Sequence, residues 1–180
     1  MNKEIEIKIK IDKKLFDNFT KNRSFQFEKT YGYFTNNYEN MTKGIFPRIK
    51  EMGDVALVSV KIKTKNDSKM FERDEYEFEI EANKVKSVRL MFKALGYPIE
   101  HIFEKKRYKL KSINNCDFVA DELPFGYFIE LEGEEKDIEK SIKELKLEGN
   151  EKINSAYLKL WEKYKKDNNL SGECLFPLTP

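Results

Sequence analysis

The sequence predicts an α+β domain in which about eight antiparallel strands form a closed or nearly closed β-barrel, a tunnel, with helices packed outside. Three observations predict it. Many segments alternate with period two, apolar on one face and charged on the other. They follow one another through short turns marked by Gly, Asn and Asp, which favours antiparallel pairing. Like-charged residues recur two apart on six of these strands, so both members of each pair point to one side.

The elements follow in order. Residues 4–11, Glu-Ile-Glu-Ile-Lys-Ile-Lys-Ile, alternate strictly and predict a strand with one isoleucine face and one charged face. Residues 12–21, opened by Asp12 and carrying Leu15, Phe16 and Phe19, predict a short capped helix. Residues 25–35 are aromatic-rich and predict a strand, with Tyr31, Tyr33 and Phe34 assigned to packing. A turn at Lys43-Gly44 leads to a strand over 45–50, Gly53-Asp54 turns the chain, and 55–63 completes a hairpin. Asn66-Asp67-Ser68 is the next turn, and 70–81 alternates again, with Arg73, Glu75, Glu77 and Glu79 opposite Tyr76, Phe78 and Ile80.

The period then changes. Val85, Val88, Leu90, Met91, Phe92 and Leu95 predict an amphipathic helix over 84–95, closed by Gly96 and followed by Pro98. Strand character returns over 99–112, a turn falls at Asn114-Asn115, and short strands are expected over 116–121 and 127–132 about a turn at 123–126. Helices are predicted over 134–146 and 153–165. Residues 1–165 therefore make one domain, and 166–180, with polar breaks and two prolines, read as a loosely held tail.

Composition excludes several classes. Charged residues are 37% of the 180, yet 34 basic and 32 acidic side chains leave a net charge of only +2, which argues against a nucleic-acid surface. An aromatic content of 13% excludes a disordered chain. No apolar run reaches the roughly 18 residues that span a membrane. The first residues carry no apolar segment of a signal peptide. Cys116 and Cys174 make neither a metal-ligand spacing nor a disulfide framework, so a reducing, cytoplasmic setting is expected. His101 is the one histidine, which excludes a two-histidine zinc site, and it is read as a surface or partly packed residue at a strand start. Cys116 and the Trp161 stripe of the last helix are assigned to packing.

The charged strand faces carry the chemistry. Acidic pairs stand at Glu4/Glu6, Glu75/Glu77 and Glu130/Glu132, and basic pairs at Arg48/Lys50, Lys61/Lys63 and Lys105/Arg107. One reading is a sheet with a solvated face, held by cross-strand charge pairs. The other turns these faces into a lumen. Carboxylates suit Mg²⁺ or Mn²⁺, and Arg and Lys suit phosphate oxygens, so a lumen of both predicts a metal–polyphosphate site.

The same residues resemble the CYTH superfamily, the triphosphate tunnel metalloenzymes, which include class IV adenylate cyclases, thiamine triphosphatases and inorganic triphosphatases. Glu4-Ile-Glu-Ile-Lys8 resembles the family's Glu-x-Glu-x-Lys, and Phe46-Pro-Arg48-Ile-Lys50 its Leu-Arg-x-Arg strand. Arg73-Asp-Glu75-Tyr-Glu77, Glu104-Lys105-Lys106-Arg107 and the stretch from Asp121 to Glu130-Leu-Glu132 resemble later family segments in the same order. The resemblance runs from residue 4 to about 160, nearly the whole chain.

The resemblance implies a role for each residue. Glu4, Glu6, Glu130 and Glu132 would hold Mg²⁺ or Mn²⁺. Arg48, Lys50, Lys61, Lys63, Arg73, Lys105 and Arg107 would bind the substrate's phosphates. Lys8, Glu75, Glu77 and Asp121 are the catalytic candidates, with Glu75 or Glu77 orienting an attacking water. Ser155-Ala-Tyr157 stands where the family often has a Ser-Tyr pair. The expected activity is metal-dependent hydrolysis of a small-molecule triphosphate: inorganic triphosphate, a nucleoside triphosphate or thiamine triphosphate. The alternatives are cyclisation of ATP to cyclic AMP and pyrophosphate, or a barrel that binds polyphosphate without turnover. No nucleic-acid or membrane partner is expected, and a homodimer is left open.

Overall fold

The computed structural model describes residues 3–63 and 71–177; of residues 3, 4, 63 and 71–73 it describes the backbone alone. Nine strands are present among them: β1 (Lys3–Ile11), β2 (Gln26–Phe34), β3 (Ile45–Met52), β4 (Val55–Lys63), β5 (Phe71–Glu81), β6 (Ile99–Lys109), β7 (Asp117–Leu123), β8 (Gly126–Glu132) and β9 (Lys152–Ile153). Five α-helices accompany them: α1 (Lys13–Thr20), α2 (Tyr38–Thr42), α3 (Val85–Ala94), α4 (Glu135–Glu144) and α5 (Tyr157–Asp167). The fold is an antiparallel nine-stranded sheet with helices, in the order β5-β4-β3-β2-β6-β7-β8-β1-β9.

β1 has neighbours on both sides. Its residues Lys3–Glu6 pair with β5, while Glu6–Ile11 pair with β8, and Lys8 and Ile9 pair with β9. The strict alternation of β1 is read on both faces. Ile7, Ile9 and Ile11 are buried on one side, and Glu6 and Lys8 are buried on the other. The charged face of this strand is therefore enclosed at Glu6 and Lys8, while Lys10 farther along it is exposed.

Three apolar clusters account for the helices. Ile7, Ile9, Ile129 and Leu131 of the sheet pack with Phe16 of α1 and with Ile138 and Ile142 of α4. Asp12 caps α1 by accepting a hydrogen bond from the Leu15 amide at 2.8 Å, which fixes where the helix starts. Tyr31, Tyr33, Ile49 and Val58 pack with Val85 of α3, so these two tyrosines are core as expected. Phe103, Leu123 and Phe128 meet Tyr157, Leu158 and Trp161 of α5, which assigns Trp161 to packing. Gly32 makes room there: a Cβ on it would stand 2.7 Å from Phe46 Cζ and 2.9 Å from Leu158 Cδ1.

Several boundaries differ from expectation. The strand expected over 99–112 ends at Lys109, and that expected over 116–121 runs Asp117–Leu123. The last helix starts at Tyr157 rather than 153, because Lys152 and Ile153 pair with β1 instead. A five-residue helix capped by Asn37 and a 3-10 turn at Ala82–Lys84 were not expected. The turn expected at 66–68 lies outside the described residues.

The segment after 165 is not loosely held over its described part. Cys174 is fully buried and bridges in parallel to Phe103. Its carbonyl accepts from the Glu104 amide at 2.8 Å, its amide donates to the Ile102 carbonyl at 3.2 Å, and Trp161 Nε1 donates to the Gly172 carbonyl at 3.2 Å. His101 lies beside this segment, its Nδ1 3.5 Å from Glu173 and away from the charged strand faces.

Candidate active site

The charged faces of seven strands line one cavity of about 270 Å³. Its carboxylates are Glu6, Glu28, Glu75, Glu77, Glu130 and Glu132, and its cationic groups are Lys8, Arg48, Lys50, Lys61, Lys105 and Arg107. Six charges of each sign cancel, so an entering polyanion must displace internal ion pairs or bring positive charge with it. Period-two alternation is what delivers them: both members of Arg48/Lys50, Glu75/Glu77, Lys105/Arg107 and Glu130/Glu132 line the cavity, while the intervening Ile49 and Leu131 are buried on the other face and Tyr76 is exposed. Phe46, Phe103, Tyr157 and Leu158 make an apolar end under the first turn of α5.

Most of these charges are tied. Lys8 donates to Glu6 and lies 3.5 Å from Glu130 Oε2. Burial works against its charge, yet Glu6 and Glu130 hold the ammonium above its ordinary value. Arg48 donates to Ser59 Oγ at 3.1 Å and to Glu75 at 2.7 Å, and Lys61 Nζ lies 3.0 Å from the other Glu75 oxygen. Arg107 donates to Glu130 at 2.8 Å. Burial opposes ionisation of Glu130, but Arg107 and then Lys8 hold its carboxyl well below the usual range.

Asp121 occupies the tightest of these arrangements. It is fully buried and does not line the cavity. It accepts from Arg107 Nε at 2.8 Å and Nη2 at 2.7 Å, from Lys105 Nζ at 3.2 Å and from the Tyr157 hydroxyl at 3.0 Å. Against the desolvation of its site, Arg107 and Lys105 keep it ionised, below the ordinary value. In this geometry Asp121 positions two cations and a phenol, and the catalytic role expected for it has no support, because the carboxylate does not reach the cavity.

Three groups are not balanced in this way. Lys50 lines the cavity with no ion pair among the described residues, and burial, helped by the nearby Arg48, Lys105 and Arg107 and opposed by Glu28, pushes its ammonium below its ordinary value. Glu132 is pushed up to about 7 by burial, then by Glu6 and Glu130. Glu28 is 2% exposed, and its Oε2 accepts no hydrogen bond although Lys105 Nζ lies 3.2 Å away.

Of the residues expected from the sequence, Glu6, Lys8, Arg48, Lys50, Lys61, Glu75, Glu77, Lys105, Arg107, Glu130 and Glu132 share the cavity. Glu77 stands exposed at its edge. The side chains of Glu4, Lys63 and Arg73 lie outside the described residues. Glu28, Thr30 and Tyr157 were not expected there. Glu28 and Thr30 share the parity of Gly32 on β2, but a single carboxylate beside a threonine makes no like-charged pair. Tyr157 was hidden in the apolar stripe of α5, and its ring lies 5.2 Å from Lys8 Nζ and 5.5 Å from Lys105 Nζ.

The donor set bears on a divalent ion. Glu6, Glu130 and Glu132 come from adjacent strands, with Glu6 directly opposite Glu132 and Lys8 opposite Glu130. Their oxygens are the hard ligands such an ion takes. Among the described residues, however, no three acidic, His or Cys groups converge to hold one. Glu6 and Glu130 are engaged by Lys8 and Arg107, which leaves Glu132 as the carboxylate in want of positive charge.

The fold has counterparts among solved structures. PH1819 of Pyrococcus horikoshii is 22% identical, with a TM-score of 0.66 over 89% of this chain and 99% of that one. A Bacillus halodurans protein described as a candidate adenylate cyclase is 14% identical, with a TM-score of 0.66 over 89% and 99%. A Hippeastrum protein described as a candidate adenylyl cyclase with a dominant triphosphatase activity is 15% identical, with a TM-score of 0.62 over 91% and 96%. No family model and no curated protein matches the sequence. At these identities the likeness is one of fold, and it accords with the CYTH resemblance carried by the strand motifs.

Proposed function

We propose that this chain is a metal-dependent triphosphatase, hydrolysing a small-molecule triphosphate inside a closed eight-stranded tunnel. The observation that carries the reading is the single cavity into which seven strands send six cationic and six carboxylate side chains. The β1–β5 ladder supports closure, because it pairs the first strand of that order with β1, the last strand before the two-residue β9. Arg48, Lys50, Lys61, Lys105 and Arg107 would clamp phosphate oxygens, with the two guanidiniums supplying paired donors. Lys8 would hold Glu6 and Glu130 in place. Glu6, Glu130 and Glu132 would hold Mg²⁺ or Mn²⁺, with Glu4 completing the set. When bound, the ion would supply charge neutralisation for phosphate oxygens.

Hydrolysis is preferred to cyclisation because one neighbour of this fold is described as dominantly a triphosphatase. The test incubates the protein with inorganic triphosphate, ATP and thiamine triphosphate, each with Mg²⁺ or Mn²⁺ and with chelator. Phosphate release that needs the metal is expected. Cyclic AMP from ATP would replace hydrolysis by cyclisation. Saturable binding of inorganic triphosphate without turnover would leave a binding barrel, and neither binding nor turnover would overturn the reading.

A further inference from the structure

A buried carboxylate in a polar cavity normally collects donors. Glu28 does not. It accepts no hydrogen bond among the described residues, and the one cation in ion-pair contact with it there is Lys105, 3.2 Å from Oε2. That ammonium is shared, since it donates to Asp121 at 3.2 Å. Glu28 nevertheless lines the cavity, within the arc of β3, β2 and β6 that carries Arg48, Lys50, Lys105 and Arg107. It is the one carboxylate of that arc among the residues described as lining the cavity.

The carboxylates expected to orient water are less suited. Glu75 takes Arg48 Nη2 at 2.7 Å and Lys61 Nζ at 3.0 Å, so its oxygens are committed to two cations. Glu77 is at the exposed edge of the cavity. Glu28 alone combines open acceptor capacity, deep burial and a place among the groups that would grip phosphate.

We infer that Glu28 is the general base that holds and orients the attacking water, an inference that rests on the triphosphatase reading above. Water attacks a phosphorus of the triphosphate held by the basic arc. A new P–O bond forms from the water oxygen, and the bond to the bridging oxygen breaks with its electrons leaving on the departing phosphate. The water proton passes to the Glu28 carboxylate and then to that phosphate. One water and one triphosphate become two smaller phosphates, and Glu28 is regenerated. Lys105, shared between Glu28 and Asp121, fixes the height of the base in the cavity.

The test compares wild type with Glu28→Gln and Glu28→Met, using inorganic triphosphate with Mg²⁺ or Mn²⁺, and follows kcat, KM and thermal unfolding. Both variants leave Lys105 its contact with Asp121, and thermal unfolding shows whether each is folded. A fall in kcat of about 100-fold or more is expected, in the range of general-base removal, with KM within about threefold. Either variant with kcat within about threefold of wild type overturns the inference. So does a lowered KM with kcat unchanged, which would make Glu28 a charge that merely repels the ligand. Failure of wild type itself to turn over any triphosphate is a different result, since it overturns the function and not only the base.

Discussion

Two buried carboxylates flank Lys105, and they could hardly be treated more differently. Asp121, on β7, takes four hydrogen bonds from Arg107, Lys105 and Tyr157. Glu28, on β2, is 2% exposed and takes none among the described residues. Equal burial with opposite satisfaction separates two kinds of region. Behind the cavity wall, charge is complemented by protein and serves the fold. Within the basic arc around Glu28 and Lys50, charge is left for something from outside to complement. The strand motifs include Asp121 and omit Glu28, whereas the hydrogen bonds that each receives place Asp121 behind the wall and Glu28 in the cavity.

The largest effect should come from cutting the tied region. Asp121→Ala strands the guanidinium of Arg107 and loosens Lys105 and the Tyr157 hydroxyl. Removing one partner of a buried charged group is destabilising by about 3–5 kcal/mol. Urea unfolding at neutral pH should show that loss, and a change below about 1 kcal/mol would erase the distinction between the two regions. The pH dependence has a fixed sign. The folded value of Asp121 lies below its ordinary 3.8, so its contribution is complete above that value and is lost as pH falls through the lowered one.

The next effect should come from the open region, and in binding rather than folding. Lys50 bears an ammonium that burial and three neighbouring cations disfavour, against the pull of Glu28. Lys50→Met should therefore leave stability unchanged or raised. It should weaken binding of inorganic triphosphate by about ten- to a hundredfold, or roughly 1.4–2.8 kcal/mol, as measured by calorimetry. Loss of stability with affinity intact would move Lys50 into the tied class.

The same division explains what the sequence made legible. The two faces of β1 were readable because isoleucine and charge alternate without a break from residue 4 to 11. The amphipathic helices were readable from stripes such as Ile138 and Ile142. β9 was not, because two residues carry no period, nor was α2, whose five residues bury no side chain. The docking of the segment around Cys174 was hidden because it rests on backbone hydrogen bonds to Ile102 and Glu104. In the site, like-charged pairs revealed Arg48/Lys50, Lys105/Arg107 and Glu130/Glu132. They could not reveal that Asp121 is enclosed or that Glu28 is open, since both depend on contacts across neighbouring strands.

Glu132 gives the smallest and most specific test, because it is only half-buried and water screens part of its interactions. Burial and then Glu6 and Glu130 raise its carboxyl from 4.5 to about 7. Between those values the folded chain holds a proton that the unfolded chain has released. Metal-free protein should therefore lose stability as pH rises from about 4.5 to 7, and Glu132→Gln should flatten that fall. Adding Mg²⁺ or Mn²⁺ at pH 7.5 should stabilise wild type more than the variant, because the ion would supply the positive charge that the surrounding carboxylates lack. If the slope persists in Glu132→Gln and the metal stabilises both proteins equally, the acidic strands β1 and β8 belong with Asp121 as a structural wall. The open region would then shrink to the basic arc alone.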